Sequence, residues 1–261
     1  MAAVLIGISL GLIGGGGSIL TVPVLVYLFS VNPILSTSYS LFVVGSTSLV
    51  GAYTNYRKNL VSINIAFLFG VSSITTVYVT RKWIIPIIPE TLFRIGDYIV
   101  TKSAATMIIF ALLMVVASLS MIRTERTSNY EGSSTQSINL PKLLLYGVLI
   151  GLGTGILGAG GGFLLIPALV LLIGLPMKKA IGTSLLIIAL NSLIGFLGDL
   201  GHYIIDWIFL LKISLLAIAG IFIGGYIGKF IQGDKLKKGF GWFVLVMGLY
   251  IVTKETLFKQ H

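Results

Sequence analysis

The groups in this sequence best placed to hold a ligand carry no charge. Two glycine runs, Gly14-Gly15-Gly16-Gly17 and Gly158-Ala159-Gly160-Gly161-Gly162, each interrupt a long apolar stretch and each precede a proline, Pro23 and Pro167. Glycine takes positive φ freely and lets a ligand come close to the main chain. A helix starting just past each run, near Ser18 and near Phe163, would present free N–H groups and about half a positive charge. Two such ends facing one another would make a pocket for an anion. Gly15, Gly16, Gly17 and Ser18 would line one side of it, and Gly160, Gly161 and Gly162 the other. The competing reading is that the glycines only permit tight helix packing, as small residues do in membranes. A run of four glycines matched by a second run exceeds what one such contact requires.

A second polar set follows each run. In the first half it comprises Ser36, Thr37, Ser38, Ser40, Ser46, Thr47 and Ser48; in the second, Thr183, Ser184, Asn191 and Ser192. Positions 40, 47 and 48 are two helical turns apart, so their side chains share a face. Hydroxyl and amide donors there could bind an oxyanion without the cost of a buried cation. The alternative for any one of them is a bond to its own helix carbonyl. Charged residues near membrane depth are few: Arg57 and Lys58, Asp199 with His202, and Lys212. Ionisable groups beside a span are functional candidates that could equally snorkel to the interface: Arg57, Asp199 and His202 are the candidates for gating or proton transfer, whereas Lys212 is expected to snorkel.

The elements that must position these groups come in duplicate. Shifting the chain by 144 residues aligns Leu5–Gly51 with Leu149–Gly195 without a gap, with about a third of positions identical. The pairs include Gly7/Gly151, Gly11/Gly155, Pro23/Pro167, Ser40/Ser184 and Ser48/Ser192; Asn55 stands at the position of Asp199. Two homologous halves are expected, residues 1–122 and 141–261, joined by a polar linker over 123–140. The chain is 56% hydrophobic and 10% charged, with a mean hydropathy of +1.03, which excludes a water-soluble domain with a polar surface. No cleavable leader is apparent, and the absence of cysteine excludes disulfides and thiolate metal sites. With two histidines, no metal or cofactor is expected. A net charge of +10 would suggest nucleic acid in a soluble protein, but the basic residues sit between apolar stretches, where they orient the chain in the bilayer. The expected partners are therefore a small anion and lipid.

Apolar stretches run from Ala2 to Phe29, Ile34 to Tyr53, Val61 to Val79, Ile99 to Ile122, Leu143 to Ile173, Ala180 to Leu200, Trp207 to Ile227 and Phe240 to Val252. The expected fold is an all-α polytopic bundle with a glycine-broken helix in each half. Each arm of a broken helix has about twelve residues, or ~18 Å of helix, which reaches just past mid-bilayer. A re-entrant hairpin therefore fits better than a kinked span. It leaves three full spans per half, and an odd number inverts the second half relative to the first. Loop charge agrees: the hairpin arrangement puts eleven basic residues on one face, among them Arg57, Lys58, Lys142, Lys178 and Lys179, against six on the other, including Arg81 and Lys102. Kinked spans give ten against seven. The basic face with the linker is expected to be cytoplasmic and both termini outside.

The glycine run with its proline, followed by Ala180-Ile181-Gly182-Thr183-Ser184-Leu185 and by Asn191, Ser192 and Gly195, resembles the TauE/SafE family of sulfite and organosulfonate exporters. The resemblance spans nearly the whole chain. It implies a transporter of the cytoplasmic membrane that moves small sulfur-containing anions such as sulfite, sulfoacetate or related sulfonates, usually outward. The first half departs from the pattern, with Ser38-Tyr39-Ser40 in place of Gly182-Thr183-Ser184. An anion channel built on the same pocket is the alternative function. A membrane-embedded enzyme fits less well, because no convincing nucleophile or ligand set is present.

Overall fold

The computed structural model of the 261-residue chain describes residues 1–95, 98–123, 140–158, 160–228 and 233–257. The linker expected over 123–140 falls almost wholly outside these residues, as do Arg126, Lys229 and Lys259. In the first half, α1 (Ala2–Ile13) ends at Gly14, whose φ of 67° turns the chain, and a 3-10 helix runs from Gly14 to Leu20 before α2 (Thr21–Tyr27). The regular helix after the first break thus starts at Thr21, not near Ser18: four glycines without side chains tighten the segment into 3-10 geometry instead of leaving an open turn. Then come α3 (Pro33–Tyr56), α4 (Ile63–Val79), a π-helical turn (Thr80–Ile84) and the short α5 (Ile85–Ile87). Strands β1 (Thr91–Ile95) and β2 (Tyr98–Thr101) pair antiparallel, and α6 (Lys102–Arg123) closes the half. The second half contains α7 (Leu140–Leu157), α8 (Gly162–Ile173), α9 (Met177–Asp199), α10 (Trp207–Ile227) and α11 (Gly233–Leu257).

One expectation needs correction. The apolar stretch from Ile99 is not helical at its start, because Ile99 lies in β2 and α6 begins at Lys102. Among the described residues, the regular structure other than helix is this hairpin and one isolated bridge, Leu200 to Tyr203. Of the six full spans expected, four helical segments among the described residues are long and apolar enough to cross a bilayer: Pro33–Tyr56, Ile63–Ile87, Lys178–Asp199 and Trp207–Ile227. Helices α6 and α11 are 22 and 25 residues long, with apolar portions Lys102–Val116 and Gly241–Lys254 among the described residues.

The packing is reciprocal between the halves. Helix α1 lies against α10 as α7 lies against α4; α3 meets α9, and α6 meets α11. Glycine makes the first two contacts possible. Gly147, Gly151 and Gly155, one turn apart on α7, rest on Ser72, Ser73 and Thr76 of α4 and on Thr80 of the π turn, while Gly7 and Gly11 of α1 rest on Ala217, Gly220, Ile221 and Gly224 of α10. Close backbone approach of this kind is the main source of helix association in lipid, where apolar burial gives no drive. Helices α4 and α9 run parallel in register: the Ser62 N–H donates to Thr183 Oγ1 (3.0 Å) at one end, Asn191 Nδ2 donates to Ser73 Oγ (2.5 Å) midway, and Gly198 abuts Arg81 at the other. Each broken helix also starts and ends in one apolar cluster. Ala3 of α1 and Leu25 of α2 share a cluster with Tyr39 and Ile213, whereas Leu143 of α7 and Leu169 of α8 share another with Ala66 and Ala180.

Candidate functional site

The two glycine breaks meet in the interior. A Cβ on Gly15 would fall 2.5 Å from the Gly162 Cα, and one on Gly162 would fall 2.5 Å from the Gly15 carbonyl carbon, so the main chains touch directly. The second break spends three positive-φ glycines on its turn, Gly158, Gly160 and Gly161, before α8 begins at Gly162, close to the expected Phe163. Gly160 faces Val44, Ile188 and the Ser192 hydroxyl, and Gly161 lies against Thr154. In the first break, Ser18 Oγ donates to the Gly15 carbonyl (2.8 Å) and so braces the turn; Gly16 and Gly17 belong to the same 3-10 segment, with Gly17 packed on Ser9. The breaks are thus brought together as expected, but in contact, with no room for an anion at the Gly15–Gly162 touching point.

The hydroxyl set divides in two. Thr47 Oγ1 donates to the Val43 carbonyl (2.6 Å) and Ser184 Oγ to the Ile181 carbonyl (2.8 Å), each within its own helix. Thr183 is occupied by the Ser62 N–H, and the Asn191 amide nitrogen by Ser73. The hydroxyls of Ser40, Ser48 and Ser192 and the Asn191 Oδ1, all buried, have no hydrogen-bond partner. A buried polar atom left without a partner costs about 1–3 kcal/mol, so such atoms on the facing helices α3 and α9 are the candidate ligand contacts.

The charged residues are redistributed. Arg57 caps α3 at the surface, and His202 is exposed, with its main-chain N–H donating to the Asp199 carbonyl (3.1 Å). Lys212 is exposed as expected. The Asp199 carboxylate is instead paired with Arg81, Nη1 to Oδ2 at 3.1 Å, with side-chain exposures of 1% and 0%. The same Nη1 donates to Thr37 Oγ1 (3.0 Å), which in turn donates to the Ile34 carbonyl (2.7 Å). Ser38 stands beside the carboxylate. Gly158 of the second break packs on Thr37, so this cluster continues directly from the glycine turn. Arg81 was grouped with loop charges in the sequence and is the residue that reading missed. Ending an apolar run and followed by Lys82, it has the local pattern of an interfacial anchor; only the π turn of Thr80–Ile84 directs it inward. π turns of this sort recur at functional sites.

Sequence comparison agrees with this architecture. A family profile described as "Sulfite exporter TauE/SafE" matches residues 1–251. A "Probable membrane transporter protein" of Xylella fastidiosa strain 9a5c is 28% identical over 255 residues, covering 96% of this chain and 92% of the relative. "Probable membrane transporter protein YdhB" of Bacillus subtilis is 23% identical over 248 residues, 95% of this chain and 96% of its own. No solved structure matches. The apolar spans, the glycine-packed helices and a profile covering almost the full length converge: the chain is a multi-pass membrane protein that belongs to the TauE/SafE family of transporters.

Proposed function

We propose that this protein is a secondary transporter that carries small sulfur-containing anions, sulfite, sulfoacetate or similar sulfonates, outward across the cytoplasmic membrane by alternating access. The observation that carries the reading is the meeting of the two glycine breaks beside buried, unpartnered hydroxyls of α3 and α9. Such irregular main chain survives at membrane depth only where protein or a water-lined cavity surrounds it. The breaks must part for an anion to pass, which favours alternation between closed and open forms over a standing pore. The shared apolar clusters at the two ends of each broken helix support re-entrant hairpins entering from opposite faces, and with them inverted repeats over 1–122 and 141–261. In that orientation the face carrying Arg57, Lys58, Lys178 and Lys179 is cytoplasmic. An inside-negative potential then drives a monovalent anion out by ~2.3 kcal/mol per 100 mV, so no coupling ion is required.

Flux in proteoliposomes tests the reading. Saturable sulfite or sulfoacetate transport with counterflow is expected from the parent protein, and none from Gly160→Leu, whose side chain would collide with Val44, Ile188 and Ser192. Flux in Gly160→Leu equal to that of the parent would remove the break from the pathway. Non-saturating flux without counterflow would identify a channel.

A further inference from the structure

We propose that Arg81 takes the charge of the transported anion, and that Asp199 is the internal counter-ion it holds until the anion arrives. This rests on the transport reading above and adds to it a cation that the uncharged site lacks. Arg81 is fully buried, yet Asp199 engages it through one oxygen on Nη1 alone. The Nε and Nη2 groups have no acceptor, and the second carboxylate oxygen has no donor. Nε–H and Nη2–H lie along one edge of the guanidinium, the edge whose parallel donors match two oxygens of a carboxylate, sulfonate or sulfite. The edge of this buried guanidinium best suited to an anion is therefore the one left unpaired.

Stability does not account for the pair. A buried ion pair rarely repays the desolvation of its members, and the duplication supplies an internal control. The repeat positions of Arg81, Asp199 and Thr37 are Gly225, Asn55 and Ile181. Helix α10 packs on α3 as α4 packs on α9, yet without this pair: Asn55 Nδ2 bonds its own helix at the Gly51 carbonyl (2.9 Å), and a Cβ on Gly225 would meet nothing within 4 Å. One half carries the charge and the other holds the equivalent contact without it. Position also fits. Thr37 links Arg81 to Gly158 of the second break on one side. On the other, one helical turn outward, lies a cavity of about 280 Å³ lined by Asn32, Ile34, Leu35, Glu90, Tyr203 and Ile204. An anion entering or leaving at that end would pass from the cavity to the guanidinium and on to the glycine turn.

Four variants in proteoliposomes, with sulfite, sulfoacetate and acetate as probes, test this: Asp199→Asn, Arg81→Lys, Arg81→Gln and the double variant Arg81→Gln/Asp199→Asn. Thermal midpoint and monodispersity report folding. Asp199→Asn removes the competing carboxylate; its half-saturating concentration should fall about tenfold, the effect of deleting one like charge a few ångströms away, and sulfite should raise its thermal midpoint more than the parent's. Arg81→Lys keeps the charge without the paired edge, and its half-saturating concentration should rise at least about tenfold. The double variant leaves no lone buried charge, so it should fold like the parent while its flux falls to background. Parent-like flux and half-saturation in the double variant, or in Arg81→Lys should the double variant not fold, would make the pair purely structural and overturn the proposal. A parent that saturates with acetate but carries neither sulfur anion would remove the sulfur reading alone, and Arg81 would then be judged on acetate in the same variants. A parent that carries none of the three would overturn both.

Discussion

Adding a single methyl group at Gly162 tests whether the glycine breaks form the gate. The new Cβ would sit 2.5 Å from the Gly15 carbonyl carbon and closer still to its Cα and oxygen, where ordinary contact begins at 3.4 Å. All three obstacles are main chain, so no side chain can swing aside, and the breaks must separate by about 1 Å. Overpacking of this kind costs about 1–3 kcal/mol, a factor of roughly 5 to 150 against the closed contact. The φ of Gly162 is not positive, so the substitution probes space alone. The absence of native cysteine makes the readout clean. Ser192, fully buried with its hydroxyl facing Gly160, is replaced by cysteine, and its reaction with a membrane-impermeant thiol reagent is timed with and without Gly162→Ala. Labelling should accelerate about 5-fold or more in the Ala background. Gly225→Ala, where a Cβ meets nothing within 4 Å, should leave the rate unchanged. An unchanged rate in a folded Gly162→Ala protein would refute the gate.

Other substitutions separate structural roles from transport roles. Ser192→Ala removes a buried hydroxyl that has no partner, so its thermal midpoint should hold or rise while sulfite flux falls severalfold. Asn191→Leu breaks the α9–α4 bond to Ser73 and should lower stability in denaturant titrations by about 1–2 kcal/mol. Asp206→Ala removes the carboxylate that accepts from the Phe209 N–H (3.0 Å) at the start of α10; it should cost about 0.5–2 kcal/mol with transport retained, as read by thermal midpoint and flux.

What the sequence revealed about this fold follows from the range over which its signals act. Glycine runs and the prolines after them act locally, so the broken helices and the hydroxyl-rich helices beyond them could be located without coordinates. Asp199 stood out because its repeat partner is Asn55, and the structure finds it buried and charged-paired. Its partner Arg81 was hidden because the two lie 118 residues apart and the π turn that aims Arg81 inward has no short-range pattern. The β1–β2 hairpin was absorbed into a span because Phe93, Ile95, Tyr98, Ile99 and Val100 are as apolar as a membrane helix; the Gly96-Asp97 step between them was the available turn signal. Tertiary choice decided the hydroxyls too. Thr47 and Ser184 turn back on their own carbonyls while Ser48 and Ser192, one residue and about two turns further along, do not.

The exchange of broken helices between the halves sets what can move. Because α1 is seated on α10 and α7 on α4 through interlocked glycine backbones, each half grips a part of the other. The covalent halves are therefore not the mechanical ones. Any stroke that opens the centre has to carry α1 together with α10, and α7 together with α4, as mixed bodies assembled from both ends of the chain, and a half produced alone would lack the helix on which its own broken segment is seated.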